Sequence, residues 1–144
     1  MGTDLDDLID FRGAVEPAGA ALAAARRGND DIQLLRELLD ASRDAASADS
    51  AAFRGPDARL HLAICDAASS SLILEAAIEI QVRLNEVLAI TPILDQAILH
   101  SHQQHAEIIA AIEAGDAASA RSRMEEHLEG TRELILTLTQ PARE

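Results

Sequence analysis

His105-Ala-Glu-Ile-Ile-Ala-Ala-Ile-Glu-Ala-Gly-Asp116 decides how this chain folds. Ile108, Ile109 and Ile112 recur at three- and four-residue spacing, so they share one face of an α-helix. Gly115 ends that helix, because glycine takes left-handed backbone at a helix C-terminus without steric cost. Asp116 can then cap the next helix through its carboxylate. His105 borders the isoleucine stripe, where an unpartnered imidazole would be expensive to bury.

The composition extends this helical reading to the whole chain. The 144 residues amount to one domain, and 48% of them are hydrophobic, enough for a core. They are mostly Ala, Leu and Ile; there are two Phe, no Tyr and no Trp, so strand-favouring aromatics are scarce. The expected fold is all-α, an antiparallel bundle of about six helices in a single domain spanning residues 1–144.

The first helix is expected from about Leu5 to Arg27, kinked at Pro17 and closed by Gly28 as its C′ residue. The second is capped by Asn29, Asp30 or Asp31 and frays near Ser47 to Ser50. The third covers about Ser50 to Ala68, bent at Gly55-Pro56, and Ser69-Ser-Ser71 then breaks the chain. The fourth runs from Leu72 to about Ile90, ahead of Pro92, and the fifth from about Leu94 to Ala114. The sixth extends to about Leu138, with Gly130 costing its interior about 1 kcal/mol relative to Ala. Short connections favour antiparallel neighbours.

Charge and cysteine content exclude several functions. A net charge of −13 leaves no basic patch with which to displace counterions from DNA. A single cysteine, Cys65, cannot form an internal disulfide and fits a reducing cytoplasm; it is expected as a small core residue. The acidic start has no apolar run of a signal peptide, and no stretch is apolar enough to span a membrane.

Asp57-Ala-Arg-Leu-His61 sets a carboxylate and an imidazole one helical turn apart on one face. His105 and His127 lie on two later helices, and His127 flanks the apolar Met124 and Leu128. Three imidazoles and a carboxylate meeting inside a bundle would suit Zn²⁺, Ni²⁺, Mn²⁺ or Fe²⁺, with a coordination position left open. Spacing alone leaves another reading standing: polar surface histidines, with Asp57 and His61 as a helix-stabilising pair. His100 and His102, in the polar run Ser101 to Gln104, are expected to face solvent.

These motifs together resemble the FCD domain, the C-terminal effector-binding domain of the FadR subfamily of GntR transcription regulators. Asp10-Phe11-Arg12-Gly-Ala-Val-Glu16-Pro17 is similar to the family's first helix, and Asp57-Ala-Arg-Leu-His61 to its Asp-x-x-Phe-His signature, with Leu60 in place of Phe. His105 to Asp116 and Met124-Glu-Glu-His127-Leu128 resemble its two closing motifs; Ser70 stands where an Asn is usual. The resemblance implies a metal held by Asp57, His61, His105 and His127, zinc or nickel foremost, and a small organic acid as effector. It implies that Arg12 faces the effector cavity, the other possibility being a surface ion pair with Glu16; Arg83 is a second effector-binding candidate. It also implies a homodimer, and DNA binding only through an N-terminal winged helix-turn-helix absent from these residues, so that the chain is expected to be part of a longer regulator.

The leading expectation is thus a non-enzymatic ligand sensor. A metal-dependent enzyme acting on a small carboxylate or ester is the alternative, although the chain has neither a His-Glu-x-x-His nor a Glu-x-x-His stretch. A purely structural dimerisation bundle is the third.

Overall fold

Helix α1 (Gly2–Arg26) carries Asp4 in its first turn and Arg26 in its last, each charge complementing its end of the helix dipole. The computed structural model describes residues 2–48, 50–88 and 95–139. Among them, five further helices follow: α2 (Asn29–Ala48), α3 (Ser50–Asp66), α4 (Ser71–Leu88), α5 (Asp95–Glu113) and α6 (Ala117–Thr139). Helix α1 runs unbroken through Pro17, and α3 through Gly55 and Pro56, so neither proline divides its segment. Pro92 lies outside the described residues.

Successive helices reverse direction. Glu107 of α5 pairs with Arg123 of α6 across their turn, and Asp10, near the start of α1, meets Arg132, near the end of α6. Helices α1 and α3 run parallel, since Arg12 and Glu16 lie at His61 while Arg26 reaches Ala68. Helix α1 packs against α3, α4, α5 and α6. This surrounded position explains why its apolar residues are not confined to one stripe.

The turns show which residues end helices. Gly115 has φ 73°, its N–H donates to the Ile112 carbonyl, and the Asp116 N–H donates to the Ala111 carbonyl, the double bond of a Schellman cap. Asp116 then accepts from the Ser119 N–H at 3.1 Å and opens α6. Ser70 caps α4 by accepting from the Ile73 N–H. Gly28 departs from expectation. It does not take left-handed backbone; its carbonyl accepts the first bond of α2 from Ile32, and its N–H donates to Asp31 Oδ2 at 2.8 Å. It is therefore the N-cap of α2, held by a reaching-back Asp31 as in half of a capping box.

Arginines tie α1 to the ends of its neighbours. Arg26 donates to the Ala68 carbonyl at the end of α3, and Arg27 donates to the Ile112 and Glu113 carbonyls at the end of α5. A guanidinium satisfies carbonyls that a terminating helix leaves bare. Between these ends the core joins Leu35, Leu60, Ile64, Ile108, Ile112 and Met124 with the alanines of α1. Helix α1 approaches α3 closely at Gly19, where a Cβ would lie 2.9 Å from Cys65 Sγ.

Two substitutions should therefore move stability in opposite directions. Gly130 is helical with nothing near its missing Cβ, so Gly130→Ala is expected to raise stability by up to about 1 kcal/mol in urea unfolding. Gly19→Ala should lower it by about 1–3 kcal/mol through overpacking against Cys65. Burial, and then the charge of Glu16, push the Cys65 thiol up to about 12 against the pull of Arg12. A thiol reagent at pH 8 should thus leave native Cys65 unlabelled and react on unfolding. Labelling at the rate of a free thiol would contradict this packing.

Candidate metal centre

Glu16 is fully buried on α1, and the polar cluster is built around it. A carboxylate there survives only with partners that satisfy its charge. Arg12, one turn earlier and also buried, donates from Nε to Glu16 Oε2. His61 of α3 donates from Nδ1 to Glu16 Oε1 at 2.5 Å. Burial alone would raise the Glu16 carboxyl, but Arg12 and then His61 outweigh it and hold the group at about 2. Glu16 is therefore an acceptor only, and the Nδ1 of His61 must carry the proton between them.

That bond turns the other face of His61 inward. Its Nε2 lies 3.1 Å from His105 Nε2 and 3.4 Å from His127 Nε2; the latter two are 3.1 Å apart. Gln104 of α5 accepts from His127 Nδ1 at 2.7 Å, so the Nε2 of neutral His127 also bears a lone pair. Asp57, one turn before His61, brings Oδ1 to 3.3 Å from His105 Nε2 and 3.6 Å from His61 Nε2. The set lying within 4.8 Å of one another is the three imidazoles, and Asp57 stands on the His61 and His105 side of it. The Asp57 side chain keeps 21% of its exposure, while the three rings are almost wholly enclosed.

These distances fit a single cation. Donors about 2.0–2.1 Å from a zinc ion lie about 2.9 Å apart at octahedral angles and about 3.3 Å apart at tetrahedral ones. The three nitrogen separations, 3.1, 3.1 and 3.4 Å, lie within that interval or just beyond its tetrahedral end. Converging lone pairs repel one another, and protons relieve this only in part. Burial drives the His105 ring down to about 4, and burial with the neighbouring rings holds His127 well below the usual histidine range. His61 behaves otherwise: burial opposes its charge, but Glu16 and Asp57 raise it to about 9. At Asp57, burial is outweighed by His61 and then His105, so its carboxyl lies far below the usual range. Three buried histidines whose Nε2 atoms face inward, those of His105 and His127 neutral and that of His61 available once a cation displaces its proton, could with the ionised Asp57 hold a metal ion.

The other expected residues fall in different surroundings. Arg12 is buried beside His61 and lines a cavity of about 20 Å³ with Leu8, Ile9, Leu84, Leu128, Arg132 and Ile135. The surface pair expected between Arg12 and Glu16 exists, but within the core. Arg83 is exposed on α4, bonded to Glu79 at 2.6 Å, and the bundle does not bring it to the histidines. His100 is exposed; His102 is half-buried beside Arg43 and Asp40 of α2, not turned wholly to solvent.

Sequence reading missed two neighbours of the cluster. Glu16 had a signal only as a helical partner for Arg12, because its contact with His61 spans 45 residues. Gln104 could have been found: it precedes Gly115 by as many residues as His127 follows Asp116, and an antiparallel pair of helices faces such positions across the turn.

Comparison with known proteins agrees with this architecture. The FCD domain model matches residues 7–130. Among solved structures, the chain is similar to E. coli McbR/YncC, with a TM-score of 0.86 and 19% identity over 97% of this chain and 68% of that one. It is also similar to Streptococcus agalactiae GntR, with a TM-score of 0.72 and 25% identity over 89% of this chain and 57% of that one. No curated protein matches the sequence. With its six described helices and a family match over most of its length, the chain belongs to the FCD domain family, the helical domain of GntR-family transcription regulators.

Proposed function

We propose that this chain is the sensor domain of a GntR/FadR-type transcription regulator. It takes one divalent metal on Asp57, His61, His105 and His127, and a small organic acid beside the metal. The acid biases helix packing in a homodimer, and so controls an N-terminal DNA-binding domain outside these residues. The observation that carries this reading is the convergence of three Nε2 atoms, with the Nδ1 atoms of His61 and His127 bonded to acceptors. A nitrogen-rich set with one carboxylate favours zinc or nickel over harder cations. When bound, the metal supplies an open coordination position for a carboxylate oxygen.

Arg12 is the arginine best suited to an acid effector. It is buried beside His61 and borders the apolar cavity among α1, α4 and α6. Its Nε serves Glu16, which leaves other N–H groups for an anion. Arg83, exposed and bonded to Glu79, is less suited. Gln81 is a further donor to consider, buried on α4 with an Nε2 that has no partner among the described residues.

The enzyme reading is weaker on chemical grounds. Glu16, the fully buried carboxylate at the cluster, is held at about 2 by Arg12 and His61 after burial is overcome, too acidic to act as a general base near neutrality. No helix among the described residues is long and apolar enough to cross a membrane, which is compatible with a cytoplasmic regulator.

Elemental analysis with native mass spectrometry should find one zinc or nickel per chain. His105→Ala and His127→Ala should each lose most of it. Metal at about a thousandfold excess over its Kd should add about 4 kcal/mol of stability, which a chelator removes. Small carboxylates should raise the melting temperature of the loaded chain only, and Arg12→Lys should weaken that effect about tenfold while metal stays bound. Carboxylate binding indifferent to metal removal would instead favour a structural ion. The chain by itself should leave DNA unshifted in a gel.

A further inference from the structure

His105 differs from its two companions. The Nδ1 atoms of His61 and His127 donate to Glu16 and Gln104, whereas His105 Nδ1 is buried with no partner among the described residues. A second orphan lies on α2: Ser42 is fully buried, and its Oγ also has no partner. A buried polar atom without a partner is costly; His102 Nδ1, nearer the start of α5, is a third on these two helices, and the two fully buried residues, Ser42 and His105, call for a joint explanation.

The packing of α2 against α5 supplies it. The inward face of α2 reads Leu35, Leu38, Leu39, Ser42, and that of α5 reads Ile112, Ile109, Ile108, His105. The two helices are antiparallel, with Arg36 paired to Glu113 at one end and Asp40 and Arg43 beside His102 at the other. Leu35 thus shares a layer with Ile112, and Leu38 and Leu39 share one with Ile108 and Ile109. Continued by one turn on each helix, the same register points Ser42 toward the layer of His105. A leucine here would have continued the stripe; a serine introduces one hydroxyl at the rear of one imidazole.

We propose that Ser42 is the positioning residue of His105: its Oγ accepts the Nδ1 proton, directly after a rotation about χ1 or through one bridging water. The hydroxyl proton can return to the Leu38 carbonyl one turn earlier, the usual second bond of a helical serine. His105 is then held as the Nδ1–H tautomer, with its Nε2 lone pair turned to His61 and His127. All three rings would share one design, an acceptor behind each Nδ1: a carboxylate for His61, an amide for His127 and a hydroxyl for His105. This assignment rests on reading the cluster as a metal centre, and only the tautomer can be examined apart from that reading.

The test combines imidazole ¹⁵N NMR with zinc competition against a chromophoric chelator, on the intact chain. Wild type should show His105 as the Nδ1–H tautomer with a slowly exchanging proton. Ser42→Ala should let the tautomers mix and weaken zinc binding about tenfold to a hundredfold. Ser42→Thr, which keeps the hydroxyl, should restore both. An Nε2–H tautomer in wild type, or a Ser42→Ala chain with unchanged tautomer and affinity, overturns the assignment. If wild type binds no zinc, the metal reading fails, while the NMR arm still decides whether Ser42 holds the His105 proton.

Discussion

The buried carboxylate of Glu16 constrains everything around it. A charge enclosed in the centre of a helical bundle persists only when partners satisfy it from close range. Arg12 does so from the same helix, and His61 from another. Because the Glu16 oxygen accepts a hydrogen bond from the Nδ1–H, the ring of His61 has one orientation, with its second nitrogen inward. One ion-paired carboxylate thereby sets the direction of a donor on a different helix. Gln104 acts in the same way on His127, through a neutral amide.

The alternation of helix directions makes this meeting possible. Helix α1 and helix α3 run parallel, so residues one turn apart on each, Arg12 and Glu16 on one and Asp57 and His61 on the other, lie side by side. The α5 and α6 pair folds back at Gly115, which carries His127 to His105. Arg26 and Arg27 pin α1 to the ends of α3 and α5, well away from the cluster. The polar centre is therefore supported by hydrogen-bonded helix ends on one side and by the aliphatic core in between. Such a frame suits an effector-binding regulatory domain, where a bound ligand must act on packing and not on a loose surface loop.

Several of these features were legible before any coordinates. Ile108, Ile109 and Ile112 declared their helix by spacing, and Gly115-Asp116 declared its end, because left-handed backbone and an N-terminal carboxylate are local requirements. Asp57 and His61 were visible as a pair for the same reason: one helical turn is a local distance. Gly28 misled, since glycine serves both ends of helices and the carboxylate that decided the matter, Asp31, lies three residues on. Arg83 was legible as a residue of the fourth helix; that it lies on the outer face beside Glu79 depends on which face the neighbouring helices cover.

The amino-acid order thus determined the helices, their ends and the stock of metal-capable side chains, because those depend on interactions within a few residues. Tertiary packing alone decided that Glu16 lies behind His61, that Gln104 lies behind His127, and that three ring nitrogens come within 3.4 Å of one another. Those contacts join helices 22 to 66 residues apart in the chain. No local preference encodes such separations; they follow from how aliphatic faces pair and from the cost of leaving a buried charge without a partner.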